Sequence, residues 1–97
     1  MAAQKLYRVR ADLAWREVAE EVVVLEIDQG EYFGINSTGR ELWHQLSEVP
    51  APAEALVAHL LANYDVDPAQ AEADVSSFLA KCVSDHLLDV VEEPESK

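Results

Sequence analysis

The chain has 97 residues, 49% hydrophobic and 27% charged, which fits one modest globular core and excludes a disordered or collagen-like chain. No apolar run reaches the length of a membrane span, MAAQKLYRVR lacks a signal-peptide core, and the single cysteine, Cys82, has no internal disulfide partner. The net charge of -12 is uneven: residues 1–16 carry Lys5, Arg8, Arg10 and Arg16 against Asp12, and every other acid faces only Arg40, Lys81 and Lys97. So acidic a surface repels phosphate backbones and suits cationic or neutral peptide partners, or else serves solubility alone. A cytoplasmic location is the expectation, since an unpaired thiol suits a reducing compartment.

Tyr7, Val9, Ala11, Leu13 and Trp15 alternate with Arg8, Arg10, Asp12, Ala14 and Arg16, and this period of two predicts a half-buried strand. A break near Val18 to Glu21 separates it from Val22-Val23-Val24-Leu25 and Ile27, strand-like by their β-branched content. Asp28-Gln29-Gly30 is a turn, Gly30 supplying positive φ, and Glu31-Tyr32-Phe33-Gly34-Ile35 returns as the second arm of a hairpin. Asn36-Ser37-Thr38 then ends the pairing, with Thr38 and Glu41 spaced as a capping box and Ser37 as a competing cap.

The remainder reads as three helices. Leu42, Trp43 and Leu46 form the stripe of the first, and Gly39 lets its opening turn pack closely. Val49-Pro50-Ala51-Pro52 stops it, with Pro52 in the first turn of a second helix bearing Leu56, Val57, Leu60, Leu61 and Tyr64. Asp67 caps the third and longest, Pro68 opens it, Gln70 completes a box-like pattern, and Ala71, Val75, Phe78, Leu79, Cys82 and Val83 make its stripe. Leu87 and Leu88 close the fold. The expected architecture is α+β and winged-helix-like: a three-stranded antiparallel sheet followed by a three-helix bundle, one domain over residues 1–91 with an acidic tail at 92–97.

Catalytic chemistry finds little support. The histidines, His44, His59 and His86, fall one to a helix, and no two have the spacing of a helical metal site. Cys82 and His86 are the one soft pair at that spacing, but Cys82 lies on the apolar stripe and Asp85 disfavours its thiolate. No phosphate loop, nucleophile elbow or paired-carboxylate motif occurs, so no catalytic residue, metal or cofactor is expected. A winged helix suggests DNA binding, yet the third helix carries Glu72, Asp74 and Asp85 with only Lys81. The basic arm Lys5 to Arg10 is what keeps that alternative open.

The strand Glu31 to Ile35 is expected at a sheet edge, and it lacks the Lys or Pro that normally blunts one. Tyr32 and Phe33 point to opposite faces, so one large aromatic stays near that edge whichever face is buried. It reads as a docking edge, unless the N-terminal segment or a second copy of the chain covers it.

The run from Val22 through Leu88 resembles the PqqD-like proteins, also called RiPP recognition elements. The resemblance is carried by VVVLEIDQGEYFGIN, by STGRELW, and by the spacing to YDVDPAQAEADVSSFL and Leu87-Leu88. It implies a non-enzymatic winged-helix module that captures the leader of a ribosomally made precursor peptide. The leader would add as a strand beside Glu31–Ile35 and be presented to a separate leader peptidase or other modifying enzyme. It further implies a groove floored by Leu25, Ile27, Tyr32, Phe33 and Ile35 and partly lined by Val75, Phe78 and Cys82. Glu31 belongs to the pairing strand, Gly34 keeps its surface low, and Asp74, Ser77, Lys81 and Asp85 flank the groove, with Tyr32 and Phe78 as anchors. A free-standing chain of this size resembles the leader-binding partner of lasso-peptide clusters. It also resembles the chaperones of radical-SAM enzymes in pyrroloquinoline quinone assembly, whose Met-Val-Lys-Leu-Asn wording is replaced here by Tyr32-Phe33-Gly34-Ile35-Asn36. No nucleic acid or membrane is expected as a partner, and the chain is expected to be a monomer or weak homodimer.

Overall fold

A computed structural model describes residues 4–93. The element order is β1 (Gln4–Val9), β2 (Leu13–Val18), β3 (Glu21–Glu26), β4 (Glu31–Ile35), α1 (Ser37–Glu48), α2 (Ala53–Asn63), α3 (Pro68–Ser84) and β5 (Leu88–Glu93). The α+β expectation holds: β2, β3 and β4 form a three-stranded antiparallel sheet, and three helices follow it.

The first strand differs from the expectation. The alternation from Tyr7 to Arg16 is two strands, broken by a turn at Ala11-Asp12 where Arg10 Nη2 meets Asp12 Oδ2 at 2.6 Å. Only β2 joins the hairpin, Leu13 facing Glu26 and Val18 facing Glu21. β1 leaves to pair with β5 in a second, two-stranded sheet, Gln4 opposite Glu93 and Val9 opposite Leu88. The expected tail therefore begins as strand at Glu92 and Glu93; residues 94–97 lie outside the described residues. The period-two pattern runs through the turn in phase, which is why it reads as continuous.

Local chemistry sets the helix boundaries. Asn36, not Thr38 or Ser37, caps α1: its Oδ1 accepts from the Gly39 backbone N–H at 3.0 Å. Pro52 stands one place earlier than expected, as the cap residue of α2. Asp67 caps α3 as expected, accepting from the Ala69 N–H at 3.1 Å, and Pro68 opens the helix. Gln70 completes no box, because its amide donates to Asp74 Oδ1 at 2.8 Å. α3 ends in a Schellman motif: His86 N–H donates to Val83 O at 3.1 Å and Leu87 N–H to Cys82 O at 2.8 Å, with His86 left-handed at φ 63. Arg10 Nη1 donates to the His86 carbonyl at 2.8 Å, tying this turn to the end of β1.

The core lies between the inner face of the three-stranded sheet and the helices. Val22, Val24 and Ile35 pack with Leu42, Trp43 and Leu46 of α1, Leu56 and Leu60 of α2, Val75, Leu79 and Cys82 of α3, and Leu87 and Leu88. Trp43 is fully buried and meets Trp15 of β2 edge-to-face, with centroids 5.9 Å apart at 82°. Beside this pair, Glu17 accepts from Arg40 at 3.1 and 3.3 Å and also contacts His44 Nε2, joining β2 to α1. No described helix is long and apolar enough to cross a membrane.

The tightest junction is at Gly39. A Cβ there would sit 2.8 Å from Ile35 Cγ2 and 3.0 Å from Phe78 Cδ1, so β4, α1 and α3 meet only because the side chain is absent. Gly39→Ala should gain up to about 1 kcal/mol in helix propensity. Overpacking against a stiff β-branched residue and a ring costs about 1–3 kcal/mol. A net loss of about 1 kcal/mol, seen as a thermal midpoint lower by about 5 °C, is expected; a higher midpoint contradicts the crowding.

Arg40 first, and His44 after it, hold the Glu17 carboxyl below its usual range. A carboxylate depressed in the folded state stabilises above its unfolded pKa, and that contribution is lost as pH falls through the folded value. Thermal midpoints of wild type and Glu17→Gln should therefore differ at neutral pH and converge in acid, with a smaller gap in high salt. A gap independent of pH would show that the charge is irrelevant.

Candidate functional site

In the register of the hairpin, Val24 faces Phe33, Val22 faces Ile35, and Leu25 faces Tyr32. Because side chains alternate, Phe33 and Ile35 share the inner face with buried Val22 and Val24, while Tyr32 and Leu25 point to the outer face. Among the described residues β4 has β3 on one side and no strand on the other, so alternate backbone N–H and C=O groups along Glu31–Ile35 have no strand partner there.

Across from this edge stands α3, and between them runs a groove of about 320 Å³. One wall is Phe33, Gly34, Ile35 and Asn36; the other is Asp74, Ser77, Phe78, Lys81, Cys82 and Asp85; Gly39, Leu42 and Leu87 complete it. Its middle is apolar and its rim is polar. On the rim Lys81 Nζ meets Asp85 Oδ2 at 3.0 Å, an exposed helical pair of small energetic value. Asp74, half-buried, accepts from Gln70, and among the described residues it has no ion-pair partner.

The groove gathers Phe33, Gly34, Ile35, Asp74, Ser77, Phe78, Lys81, Cys82 and Asp85 of the expected residues. It does not gather Leu25, Ile27, Glu31, Tyr32 or Val75. Tyr32 is 72% exposed on the far face with Leu25, and Ile27 is 60% exposed in the turn after β3, so neither is part of a groove floor. Val75 lies beneath, in the core. The sequence reading missed Asn36, Gly39, Leu42 and Leu87 as lining residues. Gly39 was legible as a close approach, and the position of Asn36 and Gly39 directly after β4 was the available signal. Leu87 enters because the Schellman turn folds the chain back under α3.

The thiol in the groove is poorly suited to act as a nucleophile. Burial first, then Asp85, push the Cys82 thiol up to about 12, against a smaller opposing effect of Lys81. No hydrogen bond joins Cys82 to His86 among the described residues, and none of their His, Cys, Asp and Glu side chains gather in a group of three or more suited to a metal. The basic arm is largely paired: Arg8 with Asp89 at 3.6 Å and Arg10 with Asp12. That leaves few cations free for phosphate.

Comparison with known proteins bears on the family and the fold. The family model for coenzyme PQQ synthesis protein D (PqqD) matches residues 21–88, from the start of β3 to the first residue of β5. Among solved structures, TbiB1 in complex with the TbiA(beta) leader peptide is 27% identical, with a TM-score of 0.74 over 93% of this chain and 99% of that one. A lasso peptide synthetase B1 complexed with the leader peptide shares the fold at 22% identity, with a TM-score of 0.73 over 86% of this chain and 96% of that one. No curated protein matches the chain.

A buried thiol held neutral should resist alkylation. Iodoacetamide at mildly alkaline pH is expected to label Cys82 only after denaturation, by intact-mass measurement; rapid labelling of the native chain would reopen the nucleophile reading.

Proposed function

This chain belongs to the PqqD family, and from that premise we propose that it binds the leader segment of a ribosomally synthesised precursor peptide and presents it to a separate enzyme. The observation that carries the reading is the unpaired edge of β4 facing α3 across an apolar groove. An extended peptide adding to that edge satisfies its alternate N–H and C=O groups, and every second peptide side chain enters the groove between Phe33 and Phe78. Backbone pairing supplies affinity that depends little on sequence, and the groove supplies the selection.

On this reading the chain has no reaction of its own, and its partner is the peptidase or other enzyme that acts on the presented precursor. The wording Tyr32-Phe33-Gly34-Ile35-Asn36 and the fold shared with a lasso peptide synthetase B1 favour a lasso-type pathway over quinone-cofactor assembly. TbiB1, bound to a leader peptide, is similar over nearly the whole chain. A reducing cytoplasm suits the single free thiol.

Calorimetric titration with the leader of a short precursor peptide sought in the neighbouring reading frames tests the proposal. Saturable binding at one peptide per chain is expected. Phe78→Ala should weaken it by about 2 kcal/mol, roughly thirtyfold, as truncating a central apolar anchor does. Unchanged affinity in that variant, or no binding to wild type, counts against the groove.

A further inference from the structure

The groove carries more information than its apolar middle. Its α3 wall runs from Asp74 to Asp85, eleven steps of helix and so about 16 Å. That is the reach of about five strand residues. The two ends of this wall differ in charge. At one end Lys81 and Asp85 neutralise each other at 3.0 Å. At the other, Asp74 has only the neutral Gln70 amide and no cation among the described residues, and it is half-buried on the groove wall.

Asp74 and Phe78 are one turn apart on α3, a separation of about 6 Å along the helix. Successive side chains on one face of a strand lie about 6.8 Å apart. A strand laid along the wall with one side chain at Phe78 therefore brings its next same-face side chain level with Asp74. We infer that the peptide this groove selects carries a lysine or arginine two residues from a large apolar side chain, the cation pairing with Asp74 while the apolar group packs on Phe78. The inference rests on the peptide-binding reading and adds a charge requirement to it. A partly desolvated carboxylate left unpaired beside a bound peptide opposes binding, so Asp74 acts as a discriminator as well as an attraction.

Random linear peptides displayed on phage, each long enough to cross the groove, are panned against the full chain and against the variants Asp74→Lys, Asp74→Asn and Phe78→Ala. Wild type should enrich peptides with a basic residue two positions from a large apolar one. Asp74→Lys should keep the apolar position and exchange the basic residue for an acidic one, and Asp74→Asn should lose the charge preference altogether. A synthetic peptide from the wild-type selection should bind Asp74→Lys about tenfold or more weakly. A wild-type profile without the basic residue, or one unchanged in the Asp74 variants, overturns this inference and leaves peptide binding standing. Wild-type enrichment no different from that of Phe78→Ala overturns the peptide-binding reading itself. Thermal unfolding of each variant confirms that the proteins compared are folded.

Discussion

The contact on which the site depends is the meeting of Ile35, Gly39 and Phe78. Because residue 39 has no side chain, the first turn of α1 closes against both the end of β4 and the ring on α3. That junction fixes where β4 stops and how closely it approaches the longest helix. The Asn36 cap works at the same place, switching the backbone from strand to helix within one residue.

An unpaired strand edge is ordinarily a hazard, and here it is conspicuously unprotected. β4 holds neither Lys nor Pro, and Gly34, where a Cβ would meet nothing within 4 Å, leaves it bare. The opposite edge of the same sheet, β2, carries Arg16 and Glu17. Two further features oppose self-pairing through β4: the strand is short, and each copy brings a net charge of -12. The acidity that opposes self-pairing would also attract a cationic strand.

Much of this was legible in the residues. The hairpin Val22 to Ile35, the aspartate cap and proline start of α3, and the stripe Ala71-Val75-Leu79-Cys82 are local patterns, and local patterns survive folding. What was not legible is non-local. Nothing in Leu88–Glu93 announces that it will pair with Gln4–Val9, some eighty residues away, and a strand that ends on Val90, Val91 and two glutamates reads as fraying. The face of Tyr32 is decided by register, because shifting the pairing by one residue exchanges the faces of every side chain on the strand. Register here follows from burying Val22, Val24 and Ile35 together, which sends Leu25 and Tyr32 outward and removes them from the groove.

Amide hydrogen exchange along β4, followed by NMR in the free chain and with the cognate leader bound, tests the central claim most directly. In the free chain, alternate amides of Tyr32 to Ile35 should exchange fast, with their neighbours protected by β3; the bound leader should slow that exposed set. Amides already protected on both sides in the free chain, or an exposed set indifferent to a leader that binds, would contradict strand addition at this edge.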